Sequence, residues 1–278
     1  MLYNLNREVI VLNKRLIVKK VVLNALENRS RTVRVILPKD YYETNKSYPV
    51  LYMHDGQNLI DKSPLSGYSW DVMKTMDDMH NLTKGFIIVG IDSNESKRIL
   101  EYSPYIPKKL YKYLNKKIGI PKEEIRPEAD QYGEFIVKQL KPFIDKEYRT
   151  FKDRLNTYIA GSSCGGVISI YLGLKYQEVF SVIGAFSPAY RFIGKDYSHH
   201  IDNIDILEGT KIYHDMGRKE NGLMSFIQLK NAKNFNKIFL NNMPESSVMM
   251  VLESKAKHNE YYWSIRFKKF IDFLYCKS

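Results

Sequence analysis

Residues 157–166 read Thr-Tyr-Ile-Ala-Gly-Ser-Ser-Cys-Gly-Gly, and within them lies a G-x-S-x-G pattern centred on Ser163, flanked by Gly161 and Gly165. The apolar run before the pattern predicts a strand, and the spacing of residues 165–176 predicts a helix. A serine at such a junction sits on a sharply bent backbone. Small neighbours on both sides remove the clashes, so the hydroxyl projects above the sheet. The N-terminus of the following helix aims backbone N–H groups at the same point, where a tetrahedral oxyanion would form. The chemistry this arrangement serves is attack of a serine oxygen on an acyl carbon. Ser162 is a poorer nucleophile candidate because Ala160 stands where it would need glycine, and Cys164 is poorer because Ser162 does. Cys164 is expected instead to offer its backbone N–H to the oxyanion hole.

A serine nucleophile needs a base, and the base needs an acid to orient it. Where the nucleophile sits on such an elbow, the chain order is serine, acid, histidine. His54 and His80 precede Ser163 and fail on order; His199, His200, His214 and His258 remain. His258 follows the last strand-like run, 248–252, after a short loop, and a base on such a loop can reach over the serine. His199 and His200 lie in a polar stretch beside Asp196 and Asp202, but adjacent side chains point apart, which disfavours a metal site. His214 lies inside a strand-like run and reads as structural. For the acid, residues 211–220 offer Asp215 at the strand end and Glu220 in the loop beyond it. Glu220 is favoured and Asp215 is the alternative. A carboxylate there orients the imidazole and stabilises imidazolium as the proton arrives.

The elements that must position these groups alternate. Residues 17–26 and 32–37 read as an antiparallel strand pair joined by the polar turn 28–30. Short apolar runs at 49–53, 86–91, 180–186, 211–216 and 248–252 read as buried strands. Helical spacing covers 70–79, 132–148 and 261–275. Buried strands alternating with helices predict an α/β fold, a mostly parallel sheet covered on both faces with an antiparallel N-terminal start. No linker or repeat divides the chain, so one domain over 1–278 is expected. Segment 104–130 is rich in Lys, Tyr and Pro and reads as an inserted loop or lid. Its position after one strand and before the helix feeding the elbow places it near Ser163, with Tyr105, Tyr111 or Tyr113 lining the pocket.

Composition narrows the class. The chain has 278 residues, 44% of them hydrophobic, enough for a sizeable core. Net charge is +12, from 43 Lys+Arg against 31 Asp+Glu. The densest basic stretch, 108–117, reads as a solvated face, and without a basic block or an aromatic-interleaved motif no nucleic-acid partner is expected. No apolar run reaches the roughly 18–20 residues that span a bilayer. The first residues are interrupted by Arg7, Lys14 and Arg15 and lack a signal-peptide pattern, which predicts a cytoplasmic protein without a membrane partner. Two cysteines, Cys164 and Cys276, make no disulfide framework and no zinc motif.

Several stretches together resemble one family. They are 48–59 (YPVLYMHDGQNL), 98–104 (RILEYSP), 140–145 (LKPFID) with 148–150 (YRT), the elbow 161–166 (GSSCGG), 186–188 (FSP) and 258–260 (HNE). From about residue 30 onward the chain resembles the Putative esterase family of α/β-hydrolases, which includes enterochelin-esterase-like enzymes, feruloyl and acetyl-xylan esterases and S-formylglutathione hydrolase. The resemblance implies the α/β-hydrolase fold, Ser163 as nucleophile, His258 as base and an acid in the loop 217–220, which supports Glu220. Some members with siderophore substrates manage with a serine–histidine pair. The resemblance also implies a second oxyanion donor in the turn after the early strand, where the backbone N–H of Gln57 is the choice. It implies a small-molecule ester substrate and no metal or organic cofactor. Cys164 stands where methionine is usual, and Lys257 where glycine is frequent. Arg98 and Glu101 are read as an ion pair supporting the site in preference to substrate contacts. The rival readings are an acyltransferase on the same scaffold and a non-catalytic binding protein. The presence of both Ser163 and His258 in matching contexts argues against the latter.

Overall fold

The computed structural model describes residues 8–190, 201, 204–220 and 225–275. A nine-stranded sheet runs in the order β1-β2-β3-β5-β4-β6-β7-β8-β9. β1 (Glu8–Asn13), β2 (Leu16–Leu23) and β3 (Arg29–Ile36) pair antiparallel, and β3 joins β5 (Ile87–Ile91) antiparallel. From there β4 (Val50–His54), β6 (Thr157–Ser162), β7 (Val182–Phe186), β8 (Lys211–Gly217) and β9 (Val248–Glu253) complete a parallel array with β5. The antiparallel start therefore has three strands where the pattern predicted two. Strand β1 was not anticipated.

β4, β5, β6 and β7 are buried at every residue. That is why they read as continuous apolar runs: helices cover both faces, so neither side of the strand meets water. On one face lie α5 (Ala129–Phe135), α6 (Lys141–Glu147), α7 (Cys164–Lys175) and α8 (Ser225–Asn242). On the other lie α1 (Val72–Asp78) and α9 (Glu260–Tyr275), where Trp263, Phe267 and Phe270 fill the core. α2 (His80–Thr83) follows α1 directly. α5 and α6 are one helix interrupted by a π turn at Ile136–Leu140, closed by Lys141 N–H on the Ile136 carbonyl. Pro142, which has no N–H to donate, falls just after that turn.

Helix α8 was not foreseen. Its buried positions are Ser225, Gln228, Ala232, Phe235 and Phe239, so polar and small residues occupy part of the stripe that usually signals a helix.

Segment 104–130 is helical: after α3 (Arg98–Glu101) come α4 (Lys108–Tyr113) and a π turn at Leu114–Ile118. It folds around a small core of Leu100, Ile106, Leu114, Ile120 and Ile125, separate from the two main cores. Its two ends meet, with Glu128 N–H donating to the Leu100 carbonyl at 2.9 Å. Charge anchors it to the antiparallel strands. Arg31 grips both oxygens of the fully buried Glu101 at 2.7 and 2.8 Å, and Arg29 grips both oxygens of Glu128 at 2.6 and 2.8 Å. No described helix is long and apolar enough to cross a membrane.

Candidate active site

Ser163, Gln57, Glu220 and His258 each follow a strand of the parallel array: β6, β4, β8 and β9 respectively. Parallel strands end on one edge, so the topology alone gathers the four there.

Ser163 lies between β6 and α7 with φ 57° and ψ −121°, a conformation that costs an L-residue energy and persists only when its surroundings enforce it. The enforcement is visible. Ser163 N–H donates to the Phe186 carbonyl at 2.9 Å, and its own carbonyl accepts from Ala189 at 3.0 Å and Gly166 at 3.1 Å. Gly161 is obligatory: a Cβ there would lie 2.8 Å from the Gly165 carbonyl carbon and oxygen.

The Gln57 turn packs against the first turn of α7. Asp55 holds the left-handed conformation (φ 56°), and a Cβ on Gly165 would lie 3.3 Å from its Oδ2. Tyr102 OH accepts the Asp55 N–H at 3.2 Å, while the Gln57 side chain is tied twice to Ser93, at 2.7 and 3.0 Å. Asp55, which opens the Gln57 turn, thus sits beside Gly165, the residue after Cys164. Arg98 bonds Asp55, at 2.7 and 2.8 Å, and Glu101 belongs to Arg31 and Arg29; the expected Arg98–Glu101 pair does not form. Two acids within reach decided the partners: Glu101 is sealed in the interior beside Arg31, leaving Arg98 for Asp55.

His258 Nδ1 meets Glu220 Oε2 at 3.0 Å. Glu220 is almost wholly buried, whereas a quarter of the His258 side chain remains exposed. Gly217 N–H donates to Glu220 Oε1 at 2.6 Å, and the Ser187 hydroxyl donates to the same oxygen. The loops carrying Glu220 and His258 are stitched together by Arg218 N–H on the Glu253 carbonyl, 2.9 Å, and Lys219 N–H on the Ala256 carbonyl, 3.1 Å. This close approach requires glycine at 217, since a Cβ would sit 2.4 Å from the Ala256 oxygen. Burial alone would raise the Glu220 pKa, but the His258 ring, the Ser187 hydroxyl and the Arg266 charge outweigh it and hold the carboxyl below its ordinary range.

Asp215 lies fully buried, away from His258. It accepts from Ser187 N–H at 2.8 Å and Tyr213 OH at 3.0 Å and pairs with Arg266 at 3.2 Å. Burial, only partly offset by Arg266 and the Ser187 amide, pushes its pKa up to about 6.

Ser187 and Arg266 were not singled out in the sequence as site residues. Ser187 has φ 44°, and its Oγ accepts from Trp263 Nε1 at 3.0 Å and Arg266 at 2.9 Å while donating to Glu220. It lies between Phe186 and Ala189, the residues that hold the Ser163 backbone, so one short segment touches both Ser163 and Glu220. The FSP tripeptide was the available signal.

Of the other histidines, His54 donates to or accepts from Tyr132 OH at 2.9 Å beneath the elbow, and His214 contacts Tyr190 OH and Asn236, each at 3.1 Å. Burial pushes their pKa values down to about 3 and about 4, which keeps both rings neutral. His199 and His200 lie outside the described residues, as does Cys276. Tyr105 and Tyr113 are exposed, and Tyr111 packs on the small core of segment 104–130. Among the described residues no group of three or more potential ligands is placed to hold a metal ion.

An uncharacterized protein of Bacillus subtilis, YbbA, is 22% identical over 254 residues, covering 90% of this chain and 94% of that protein. The solved enterobactin esterase FES of Shigella flexneri superposes with a TM-score of 0.70 at 15% identity, covering 92% of this chain and 58% of that one. A solved ferulic acid esterase gives 0.66 at 19% identity, covering 94% and 97%. A family model described as Putative esterase matches residues 24–271. The chain belongs to the Putative esterase family and is a carboxylic ester hydrolase on an α/β-hydrolase fold.

Proposed function

We propose that the protein is a serine esterase that cleaves small-molecule esters through an acyl-enzyme on Ser163, with His258 as general base and Glu220 as the orienting acid. The observation that carries this reading is the 3.0 Å contact of Glu220 Oε2 with His258 Nδ1, on the sheet edge where the strained Ser163 stands. A proton held on Nδ1 by Glu220 leaves Nε2 free to take the Ser163 proton as the oxygen attacks the ester carbonyl. The backbone N–H groups of Gln57 and Cys164 receive the oxyanion. The alcohol leaves with the proton from His258, and water repeats the sequence on the acyl-enzyme. The proposed substrate is a siderophore-type, feruloyl or acetyl ester. Two structural neighbours, named as enterobactin and ferulic acid esterases, support testing the first two.

A fluorophosphonate probe should label Ser163 alone, and Ser163→Ala should abolish labelling and hydrolysis while leaving the fold intact. Labelling of Ser162 or Cys164 would overturn the assignment. Hydrolysis of p-nitrophenyl acyl esters, feruloyl esters and triscatecholate lactones by the same preparation ranks the substrate classes.

A further inference from the structure

On the sheet edge that also carries Glu220 and His258, a cavity of about 420 Å³ opens between α8 and the ends of β8 and β9. Its apolar lining is Phe226, Leu229 and Leu252, and its basic rim is Arg218, Lys230 and Lys233. Phe226 is 75% exposed, a large apolar surface left to water at the mouth of the cavity. The three cations have no carboxylate partner among the described residues. The nearby acids are engaged elsewhere: Glu220 turns inward to His258 and Ser187, and Glu253 pairs with Lys269. α8 itself carries Lys230, Lys233 and Lys237 and no Asp or Glu, so its charge is unopposed along its length.

Apolar side chains beside unneutralised cations are matched by a small amphipathic anion. We propose that this cavity is a second ligand site that takes an amphipathic monocarboxylate, with the carboxylate at Arg218, Lys230 and Lys233 and the hydrocarbon on Phe226, Leu229 and Leu252. The volume suits a single such molecule. The carboxylate gains charge-assisted hydrogen bonds from the rim, and the hydrocarbon covers apolar surface that water now meets. The inference is independent of which residues carry the ester chemistry.

Calorimetric titration of the full chain with sodium decanoate tests it, with decanol as the uncharged control and acetate as the tail-less one. Decanoate should bind, and both controls should bind at least ten-fold more weakly. The double variant Lys230→Glu/Lys233→Glu should weaken decanoate at least ten-fold, and Leu229→Asp should do the same from the apolar side. Lys230 and Lys233 are exposed on α8, so the double variant should keep the wild-type melting temperature and circular dichroism. Equal decanoate affinity in the wild type and both variants would place the ligand elsewhere and overturn the proposal. So would equal affinity for decanol. Capture by phosphatidylglycerol vesicles without binding of monomeric decanoate would overturn it in favour of a lipid surface.

Discussion

Arg98 closes on both carboxylate oxygens of Asp55, at 2.7 and 2.8 Å, and so clamps the left-handed residue from which the Gln57 turn departs. The clamp fixes where that turn sits against α7. Lysine at 98 keeps the charge but offers no planar fork, and a hydrogen bond to a charged group is worth roughly 1.5–3 kcal/mol. If the Gln57 amide receives the oxyanion as proposed, Arg98→Lys should lower kcat about ten-fold or more by displacing that turn, with KM for acetate esters changed much less. Steady-state kinetics on p-nitrophenyl acetate check this. An unchanged kcat would mean the turn holds its place without the clamp.

Glu220 and Asp215 should separate in kinetics. Glu220→Gln weakens the contact that orients His258, so turnover should fall by about two orders of magnitude or more. Asp215→Asn leaves His258 untouched and should act mainly on stability. A larger kinetic loss from Asp215→Asn would reverse the assignment of the acid.

The same two carboxylates should separate against pH. Glu220 has a folded-state pKa below its ordinary value of 4.5, so its stabilising contribution is present above that value and is lost as pH falls through the lower one. Asp215 is the opposite case: its pKa rises from 3.8 to about 6, so its contribution is present below 3.8 and is lost as pH climbs through about 6. Urea unfolding should show Glu220→Gln flattening the acid limb below about pH 4.5, and Asp215→Asn flattening the interval from about pH 4 to pH 6.

Ser187→Ala removes the oxygen on which Trp263, Arg266 and Glu220 converge. Each buried donor left unmatched costs roughly 1–3 kcal/mol, so a loss of about 2–4 kcal/mol in stability is expected. Turnover should drop as well, since Glu220 Oε1 loses a partner. An alanine variant as stable and as active as the wild type would remove the hydroxyl from the account.

Segment 104–130 can be excised cleanly because Leu100 and Glu128 already touch across its base. A short Gly/Ser linker replacing 106–125 should reduce hydrolysis of bulky esters far more than that of acetate esters if the segment walls the pocket. An equal effect on both would rule out a role in substrate choice.

The sequence disclosed those parts of the fold whose burial is two-sided. β4 to β7 are apolar throughout because water reaches neither face, and the elbow glycine is demanded by a 2.8 Å approach that no other residue tolerates. The α8 stripe was illegible because Ser225 and Gln228 occupy buried positions. The partner of Arg98 was illegible for another reason: Asp55 and Glu101 are both acids within its reach, and only the third dimension assigns Glu101 to Arg31. Ser187 was quoted within a tripeptide, yet its part depends on Trp263 and Arg266, more than seventy residues away.

The place of β4 in the sheet has a consequence for how the molecule assembles. β4 pairs on one side with β5, its near neighbour in the chain, but on the other with β6, where Val50 meets Thr157. Closing a loop of that order, about a hundred residues, costs roughly 4 kcal/mol in chain entropy before any contact repays it. Until β6 arrives, one edge of the wholly apolar strand Val50–Met53 stays open to any other chain. Refolding from denaturant should accordingly be slow and its yield should fall steeply with protein concentration.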